Sequence, residues 1–328
     1  EEEMNNLNGY NIVLDVASGS VHSVDNVAYD VINLYETKSR KGIVKEVAAK
    51  YAQDGVSEQD VIECLDDVDE LVAQGKLFAK DEFKPDIENL AKRNTVLKAM
   101  CLHVAHTCNL NCEYCFASQG KYHGERALMS YEVGKRALDF LIENSGTRRN
   151  LEVDFFGGEP LMNWQVVKDL VAYARSIEKE HGKNFRFTLT TNGMLVDDDV
   201  IEFANKEMDN VVLSLDGRKE INDHFRKTIG NVGSYDIIVP KFQKFVKARG
   251  GKNYYMRGTF THRNPDFTND IQTMLDLGFD ELSMEPVVCP PTDKYALTED
   301  DKKVLYKEYE KLADMMIERR KEGRTIYY

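Results

Sequence analysis

The feature that most constrains the fold is a regular alternation of strand and helix patterns from residue 95 to the end of the chain. Such βα units predict a parallel sheet with helices outside it, hence an α/β fold. Six units are too few for a closed eight-stranded barrel, so we expect a partial or open barrel with functional groups at the carboxyl ends of its strands. The predicted strands are 97–105, 151–156, 185–190, 210–215, 254–261 and 281–286. The predicted helices are 131–145, 164–181, 197–206, 219–225, 235–249, 267–276 and 299–321.

Residues 1–82 carry a different pattern and are predicted to form a domain of their own. The predicted elements are a hairpin at 8–24, helices at 26–37, at 43–51 and after the capping signal at Ser57, and a short strand at Leu77-Phe78. Together they predict a small winged-helix-like α+β domain. Residues 83–94 are predicted to be a linker, and residues 95–328 the second domain.

This first domain has three possible roles on sequence grounds: a simple cap, a peptide-binding module whose sheet edge accepts another strand, or a DNA-binding winged helix. The third predicted helix argues against the DNA-binding role, because seven of its side chains are acidic and would repel phosphate. They are Glu58, Asp60, Glu63, Asp66, Asp67, Asp69 and Glu70. DNA binding is therefore disfavoured.

Three cysteines, Cys108, Cys112 and Cys115, follow the first strand of the second domain with the spacing C-x3-C-x2-C. Structural zinc prefers four closed ligands, so three thiolates fit it poorly unless a remote fourth exists. They fit a [4Fe–4S] cluster with one iron left open to an exogenous ligand, which indicates chemistry rather than scaffolding. Of the other cysteines, Cys64 and Cys101 are expected in the core, and Cys289 as a buried thiol or a substrate contact.

Short polar or glycine-containing segments follow the next strands, where the site is expected. Gly157-Gly158-Glu159 could approach a ligand closely through its backbone and hold an ammonium group with carbonyls and the Glu159 carboxylate. Asn192, Ser214 and Asp216 place polar groups where a ribose could bind, and Arg226 could pair with a carboxylate. No catalytic acid or base stands out.

Composition and cysteine spacing favour one cellular compartment and disfavour some classes of partner. The formal charge of −13 disfavours a dedicated nucleic-acid surface. No apolar run is long enough to cross a membrane, and the acidic start does not resemble a signal peptide. Clustered cysteines are typical of a metal site in a reducing cytoplasm rather than of a disulfide framework.

The loop Cys108–Cys115, with Tyr114 at the aromatic position, and Gly157-Gly158-Glu159-Pro160 some 40 residues later resemble the radical S-adenosylmethionine (SAM) superfamily. The resemblance covers about residues 95–328 and implies a partial (β/α)6 barrel. It implies that the three cysteines hold a [4Fe–4S] cluster and that SAM chelates the open iron. The reduced cluster would then split SAM into methionine and a 5′-deoxyadenosyl radical, which takes a hydrogen atom from an unactivated carbon.

The same resemblance assigns expected roles around SAM. Tyr114 would lie near the adenine, and Gly157, Gly158 and Glu159 would bind the amino end of the methionine. Asn192, Ser214 and Asp216 would surround the ribose and sulfonium of SAM. Arg226 would lie near its carboxylate.

Residues 9–16, with His22 and Val24, resemble maturases of six-cysteine (SCIFF, or ranthipeptide) precursors in the SPASM-type group, which join cysteine sulfur to carbon as thioethers. This implies that the first domain recognises a leader peptide and that an external donor such as flavodoxin or ferredoxin supplies electrons. That family carries a C-terminal domain with auxiliary clusters, and no cysteine follows Cys289 here, so the domain is expected to be absent from this chain. The alternatives are a sulfatase-type maturase acting on a protein and an iron–sulfur DNA-binding sensor.

Overall fold

The chain divides into two compact units, Glu1–Asn94 and Thr95–Tyr328, in a computed structural model that describes residues 2–7, 9–82 and 96–328. The linker predicted at 83–94 lies outside the described residues. Among the helices that are described, none combines the length and the apolar character needed to cross a membrane.

In its described residues, the first unit combines a three-stranded antiparallel sheet with three α-helices, which confirms the predicted α+β class. Its elements are β1 (Glu2–Leu7), β2 (Tyr10–Asp15), β3 (Ser20–Val24), α1 (Asn26–Leu34), α2 (Arg40–Lys50) and α3 (Glu58–Ala73). Strand β2 lies in the centre and pairs with both others. Ser57 and Asp60 form the predicted capping box at the start of α3. Helices and sheet enclose a core that includes Val13, Val31, Ile43 and Leu65, with Cys64 packed at its border.

Two local predictions in this unit need correction. The strand predicted at Leu77-Phe78 is wrong, because Phe78 has a left-handed φ of +50° and cannot continue an extended chain. The following N–H of Ala79 donates to the Asp15 carboxylate instead (2.9 Å), which ties this segment to the end of β2. Strand β1 was not predicted, because its sequence EEMNNL lacks β-branched residues and forms a strand only through its pairing with β2.

The second unit contains a six-stranded sheet in which strand order follows the chain and every neighbouring pair is parallel. The strands are β4 (Ala99–Ala105), β5 (Asn150–Gly157), β6 (Asn184–Thr191), β7 (Asn210–Ser214), β8 (Tyr255–Phe260) and β9 (Leu282–Pro286). The helices are α4 (Tyr131–Glu143), α5 (Trp164–His181), α6 (Asp198–Glu207), α7 (Lys219–Phe225), α8 (Tyr235–Arg249), α9 (Thr268–Asp276) and α10 (Glu299–Lys321). All the predicted strands and helices of this unit are confirmed to within a few residues. No pairing joins β4 to β9 in the described part of the chain, so the sheet is open as expected.

The two faces of this sheet have different chemistry. Along β5, Leu151, Val153 and Phe155 are buried in the large core, whereas the residues between them are partly exposed. Since strand neighbours point to opposite sides, the second face carries the alternate residues, which we name the polar face. Its members include Cys101, Glu152, Asp154, Phe156, Arg186, Thr190, Arg257 and Glu285. The expectation that Cys101 lies in the core is therefore wrong, since Leu102 and Val104 take the core side of β4 and Cys101 is exposed.

Candidate functional site

The three-cysteine segment forms a loop directly after β4, at the carboxyl edge of the sheet, and we name residues 106–124 the cysteine loop. Backbone hydrogen bonds fix it to the end of α7 and to the residues just after it. Asn111 N–H donates to the carbonyl oxygen of Lys227 (2.7 Å), and Glu113 N–H to that of Phe225 (3.1 Å). Because these partners are main-chain groups, they hold the loop without using any side chain near the sulfurs.

The sulfur atoms lie in surroundings of low polarity with a few donors. Cys108 is buried and accepts from the N–H of Leu110 (3.4 Å) and from the amide of Asn192 (3.5 Å). Burial raises the pKa of the Cys108 thiol to about 11 and that of Cys112 to about 12. Both thiols therefore keep their protons at neutral pH until a metal displaces them, so metal binding here releases protons.

The donor set fits an iron–sulfur cluster better than a single ion. Within the residues that the structure describes, no three His, Cys, Asp or Glu side chains meet at one point. A [4Fe–4S] cluster takes one thiolate at each of three different irons, so its ligands need not converge. A metal-bound thiolate also accepts hydrogen bonds, and the donors directed at the Cys108 sulfur are placed to supply them.

The Gly157-Gly158 pair packs against the backbone of the cysteine loop. A Cβ on Gly157, which has a φ of +134°, would lie 2.5 Å from the carbonyl oxygen of Ala105. A Cβ on Gly158 would lie 2.6 Å from the carbonyl carbon of Thr107 and 3.0 Å from the Cα of Gly120. Hydrogen bonds from Gly158 N–H to Ala105 and from Glu159 N–H to Thr107 complete this contact (2.7 and 3.0 Å). The glycines thus let two backbones approach each other, an arrangement that the sequence interpretation did not include.

This close contact gives a testable prediction for Gly158→Ala. The added methyl group would overlap Thr107, so the cysteine loop must shift, at a cost of about 2–3 kcal/mol. We expect a lower free energy of unfolding and, after anaerobic reconstitution, at least half of the iron lost. Denaturant unfolding and iron analysis measure both. Gly230→Ala is the matched control, because a Cβ there has its nearest neighbour at 3.8 Å; equal behaviour of the two variants would contradict the prediction.

The Glu159 carboxylate, predicted to help hold an ammonium group, has a different position. It is fully buried and accepts three hydrogen bonds, from Leu161 N–H (3.0 Å), Thr191 hydroxyl (2.8 Å) and Asn192 N–H (2.8 Å). Burial raises its pKa to about 7, against the lowering effect of these bonds. The carboxylate is therefore engaged in joining the turn after β5 to the end of β6. We therefore predict that this turn contacts a ligand through its backbone groups.

Asp216, Arg226 and Tyr114 form one buried network. The Arg226 guanidinium pairs with Asp216 Oδ1 (2.9 Å), and the Tyr114 hydroxyl donates to Asp216 Oδ2 (2.6 Å). Thr259 N–H also donates to Oδ1 (3.0 Å). Asp216 is completely buried, and its predicted position near a ribose remains a prediction. The network fixes Tyr114, the residue before Cys115, against the end of β7.

Arg226 keeps unused donor capacity in this network. Its Nε is buried and has no hydrogen-bond partner among the described residues. Burial lowers its pKa, but the neighbouring charge of Asp216 raises it above the ordinary value, so the guanidinium stays charged. A cation with an unsatisfied N–H beside the cysteine loop fits an anionic group of a bound cofactor.

The other two predicted residues lie at the same edge. Asn192 donates to Asn109 (2.8 Å) as well as to the Cys108 sulfur, and so ties the end of β6 to the cysteine loop. Ser214 ends β7 and is half-buried. Sequence analysis missed the structural role of Thr191, although its position before Asn192 at a predicted strand end was a usable signal.

Comparisons with known proteins agree with this geometry. A family model described as the Radical SAM superfamily matches residues 102–266. The radical SAM cyclopropyl synthase TigE of Paramaledivibacter caminithermalis is 24% identical over 308 residues, covering 84% of this chain and 63% of the relative. The serine-type anaerobic sulfatase-maturating enzyme of Bacteroides thetaiotaomicron is 31% identical over 138 residues, covering 40% of this chain and 32% of the relative. The chain thus spans less than two thirds of the length of either relative.

Two solved structures show the same fold. Native anSMEcpe with bound AdoMet and the Cp18Cys peptide superposes with a TM-score of 0.61 at 21% identity, covering 70% of this chain and 62% of that one. Streptococcus suis SuiB bound to S-adenosylmethionine gives a TM-score of 0.53 at 16% identity, covering 97% of this chain and 69% of that one. Both structures contain SAM beside a fold like that of the present chain.

Proposed function

Because this chain belongs to the radical SAM superfamily, we propose that it is a maturase that joins cysteine sulfur to carbon in a ribosomally made precursor peptide. Family membership confirms the predictions of an enzyme and of a [4Fe–4S] cluster and SAM as its cofactors. The thioether product, the peptide substrate and the residue roles belong to the proposal. An external donor of the flavodoxin or ferredoxin type and a cytoplasmic location are further parts of it.

The observation that carries the proposal is the cysteine loop bound to the Gly157-Gly158 turn at the carboxyl edge of an open parallel sheet. We assign Cys108, Cys112 and Cys115 to the cluster. When bound, the cluster and SAM supply the one-electron chemistry that removes a hydrogen atom from a substrate carbon.

The chain's own groups would orient SAM. The backbone of 157–159 would accept hydrogen bonds from its amino end, and the unpaired Nε of Arg226 would donate to its carboxylate. Tyr114 is held in one position by its hydrogen bond to Asp216, and we place it near the adenine. Asn192 and Ser214 would lie near the ribose and sulfonium.

The first unit is proposed to bind the leader peptide. Its sheet has two outer strands, β1 and β3, each paired on one side only in the described part of the chain. An outer strand offers backbone donors and acceptors to an extended peptide, which would add as a fourth strand. Tethering the leader raises the local concentration of the core peptide at the barrel. Residues 1–82 are thus proposed to be the recognition domain and 95–328 the catalytic one, with 83–94 between them.

The test uses the reconstituted chain, a chemical reductant, SAM and a six-cysteine precursor peptide. For each thioether formed, we expect the mass of the precursor to fall by two hydrogen atoms. We also expect the number of its alkylatable thiols to fall by one. The matched control is the same core peptide without its leader, for which we expect at least about a ten-fold lower yield because the tether is missing. An unmodified precursor, with SAM cleaved normally, would contradict the proposal.

A second candidate is a sulfatase-type maturase that oxidises one residue of a protein substrate, which the similarity to the sulfatase-maturating enzymes favours. Such an enzyme has no need of a leader. Equal modification of substrates with and without a leader, with no loss of alkylatable thiol beyond the oxidised residue, would support this candidate over thioether formation.

A further inference from the structure

The polar face of the six-stranded sheet carries several ionisable side chains, and most of them are paired. Glu152 lies 3.4 Å from the Lys98 nitrogen and 3.9 Å from Arg186, and Arg257 pairs with Glu285 (2.6 Å). Such pairs satisfy their charges within the protein. Asp154 of β5 lies on the same face, and no ion pair to it is seen among the described residues.

Asp154 has little internal bonding for a half-buried carboxyl group. The Thr190 hydroxyl donates to its Oδ1 at 3.3 Å, and no lysine, arginine or backbone N–H is described as a further partner. By contrast, Glu159 and Asp216 each accept three hydrogen bonds. A carboxyl group that is partly buried and left with free lone pairs costs stability, so a use in binding explains it better than a use in folding.

The position of Asp154 relates it to the cysteine loop. Phe156 is the next residue of β5 on the same face, and its ring packs against that of His103 (5.7 Å). Tyr122 of the cysteine loop stacks on His103 (4.6 Å) and donates to the carbonyl oxygen of Gly157 (3.1 Å). Asp154 and its strand partner Cys101 therefore form the next layer of the sheet beneath this aromatic layer.

The electrostatics of this layer favour proton exchange at Asp154. Burial raises the pKa of Asp154 to about 6, opposed by the Thr190 hydrogen bond and by the charge of Arg257. Cys101 lies outside the core, but partial desolvation of its sulfur raises the pKa of its thiol to about 11, and the charge of Asp154 adds to this rise. At neutral pH the carboxylate is thus ionised but holds a proton more readily than an exposed aspartate, whereas Cys101 stays neutral.

We propose that Asp154, oriented by Thr190, accepts the proton of a substrate cysteine thiol on the polar face of the sheet. This rests on the proposed function. In the step, the S–H bond breaks, the proton moves to an Asp154 carboxylate oxygen, and the electron pair stays on sulfur, so no oxidant or reductant takes part. The groups facing Asp154 are Cys101 from β4, Thr190 from β6 and Arg257 from β8, with Glu152 and Arg186 one layer further along the strands.

The test separates the thioether step from SAM cleavage. For Asp154→Asn we expect at least about a 100-fold lower rate of thioether formation, as for loss of a general base, with formation of 5′-deoxyadenosine within about three-fold of wild type. The wild-type rate is expected to rise with pH around 6, and this rise should be missing in the variant. Asp154→Glu should recover part of the rate. Glu152→Gln, on the same strand and face, is the matched control and should remain within about three-fold.

A second readout needs neither cofactor nor turnover. With aspartate carboxyl carbons labelled by ¹³C, the resonance missing from Asp154→Asn should titrate near pH 6 and shift on addition of the core peptide, but not of the same peptide with its cysteines replaced by alanine. Normal thioether formation by Asp154→Asn would contradict the role of Asp154 but leave the proposed function intact. The same would follow if the resonance shifted equally with the core peptide and with its cysteine-free version. A wild-type chain that cleaves SAM but forms no thioether would overturn the proposed function, and this inference with it.

Discussion

Replacing Cys112 by alanine is expected to remove both cluster assembly and SAM cleavage. The three thiols of the cysteine loop are the proposed ligands, and two ligands cannot hold a cubane cluster firmly at this edge of the sheet. The wild-type chain should take up about four irons per chain in anaerobic reconstitution, and the variant less than about one. Formation of 5′-deoxyadenosine should fall to background.

The matched control is Cys289→Ala. Cys289 is a half-exposed thiol in the loop after β9 and lies outside the C-x3-C-x2-C segment. Its removal should leave iron and sulfide content unchanged. Iron analysis, visible absorption and circular dichroism of the reconstituted proteins measure the effect and check the fold. Retention of four irons and their colour by Cys112→Ala would contradict the assigned ligand set.

The second unit was predictable from sequence because its pattern is local. Strands such as β5 and β6 alternate apolar and more polar residues over a short stretch, whereas the helices are longer amphipathic segments, so local periodicity located them. Strand β1 and the segment at Leu77-Phe78 were not predicted correctly because their conformations depend on partners distant in sequence. β1 forms through its pairing with β2, and residues 77–79 are held by Asp15, 64 residues before Ala79.

The site was predictable in its location but not in all its roles. Asn192 and Asp216 follow the ends of β6 and β7 as expected, because the carboxyl ends of parallel strands share one edge. Arg226 follows α7 and reaches this edge through its ion pair with Asp216. Sequence could not show that Asp216 binds a tyrosine 102 residues earlier, or that Glu159 binds the end of β6. Both carboxylates looked free for a ligand, and tertiary hydrogen bonds occupy them. Asp154 was missed for the opposite reason, since only the folded structure shows that a single hydroxyl, that of Thr190, donates to it among the described residues.

Arg226→Ala is expected to cause the largest loss of stability. Arg226 is 9% exposed and Asp216 is 0% exposed, so the variant leaves a buried carboxylate with only the Tyr114 hydroxyl and the Thr259 N–H as partners. Breaking a buried pair in this way costs about 3–5 kcal/mol. That is a large share of the total stability of a typical domain. Denaturant unfolding followed by the fluorescence of Trp164, the single tryptophan, reports on the second unit alone.

Two further variants identify the cause of that loss. Arg136→Ala removes an ion pair with Glu143 (2.9 Å) whose side chains are 63% and 56% exposed, and it should cost less than about 1 kcal/mol. Adding Asp216→Asn to Arg226→Ala removes the unpaired charge while keeping the side-chain volume, so more than half of the lost stability should return. If the double variant is as unstable as Arg226→Ala, the loss comes from the packing of the arginine stem. The Asp216 charge would then have no part in holding Tyr114 and the cysteine loop in place.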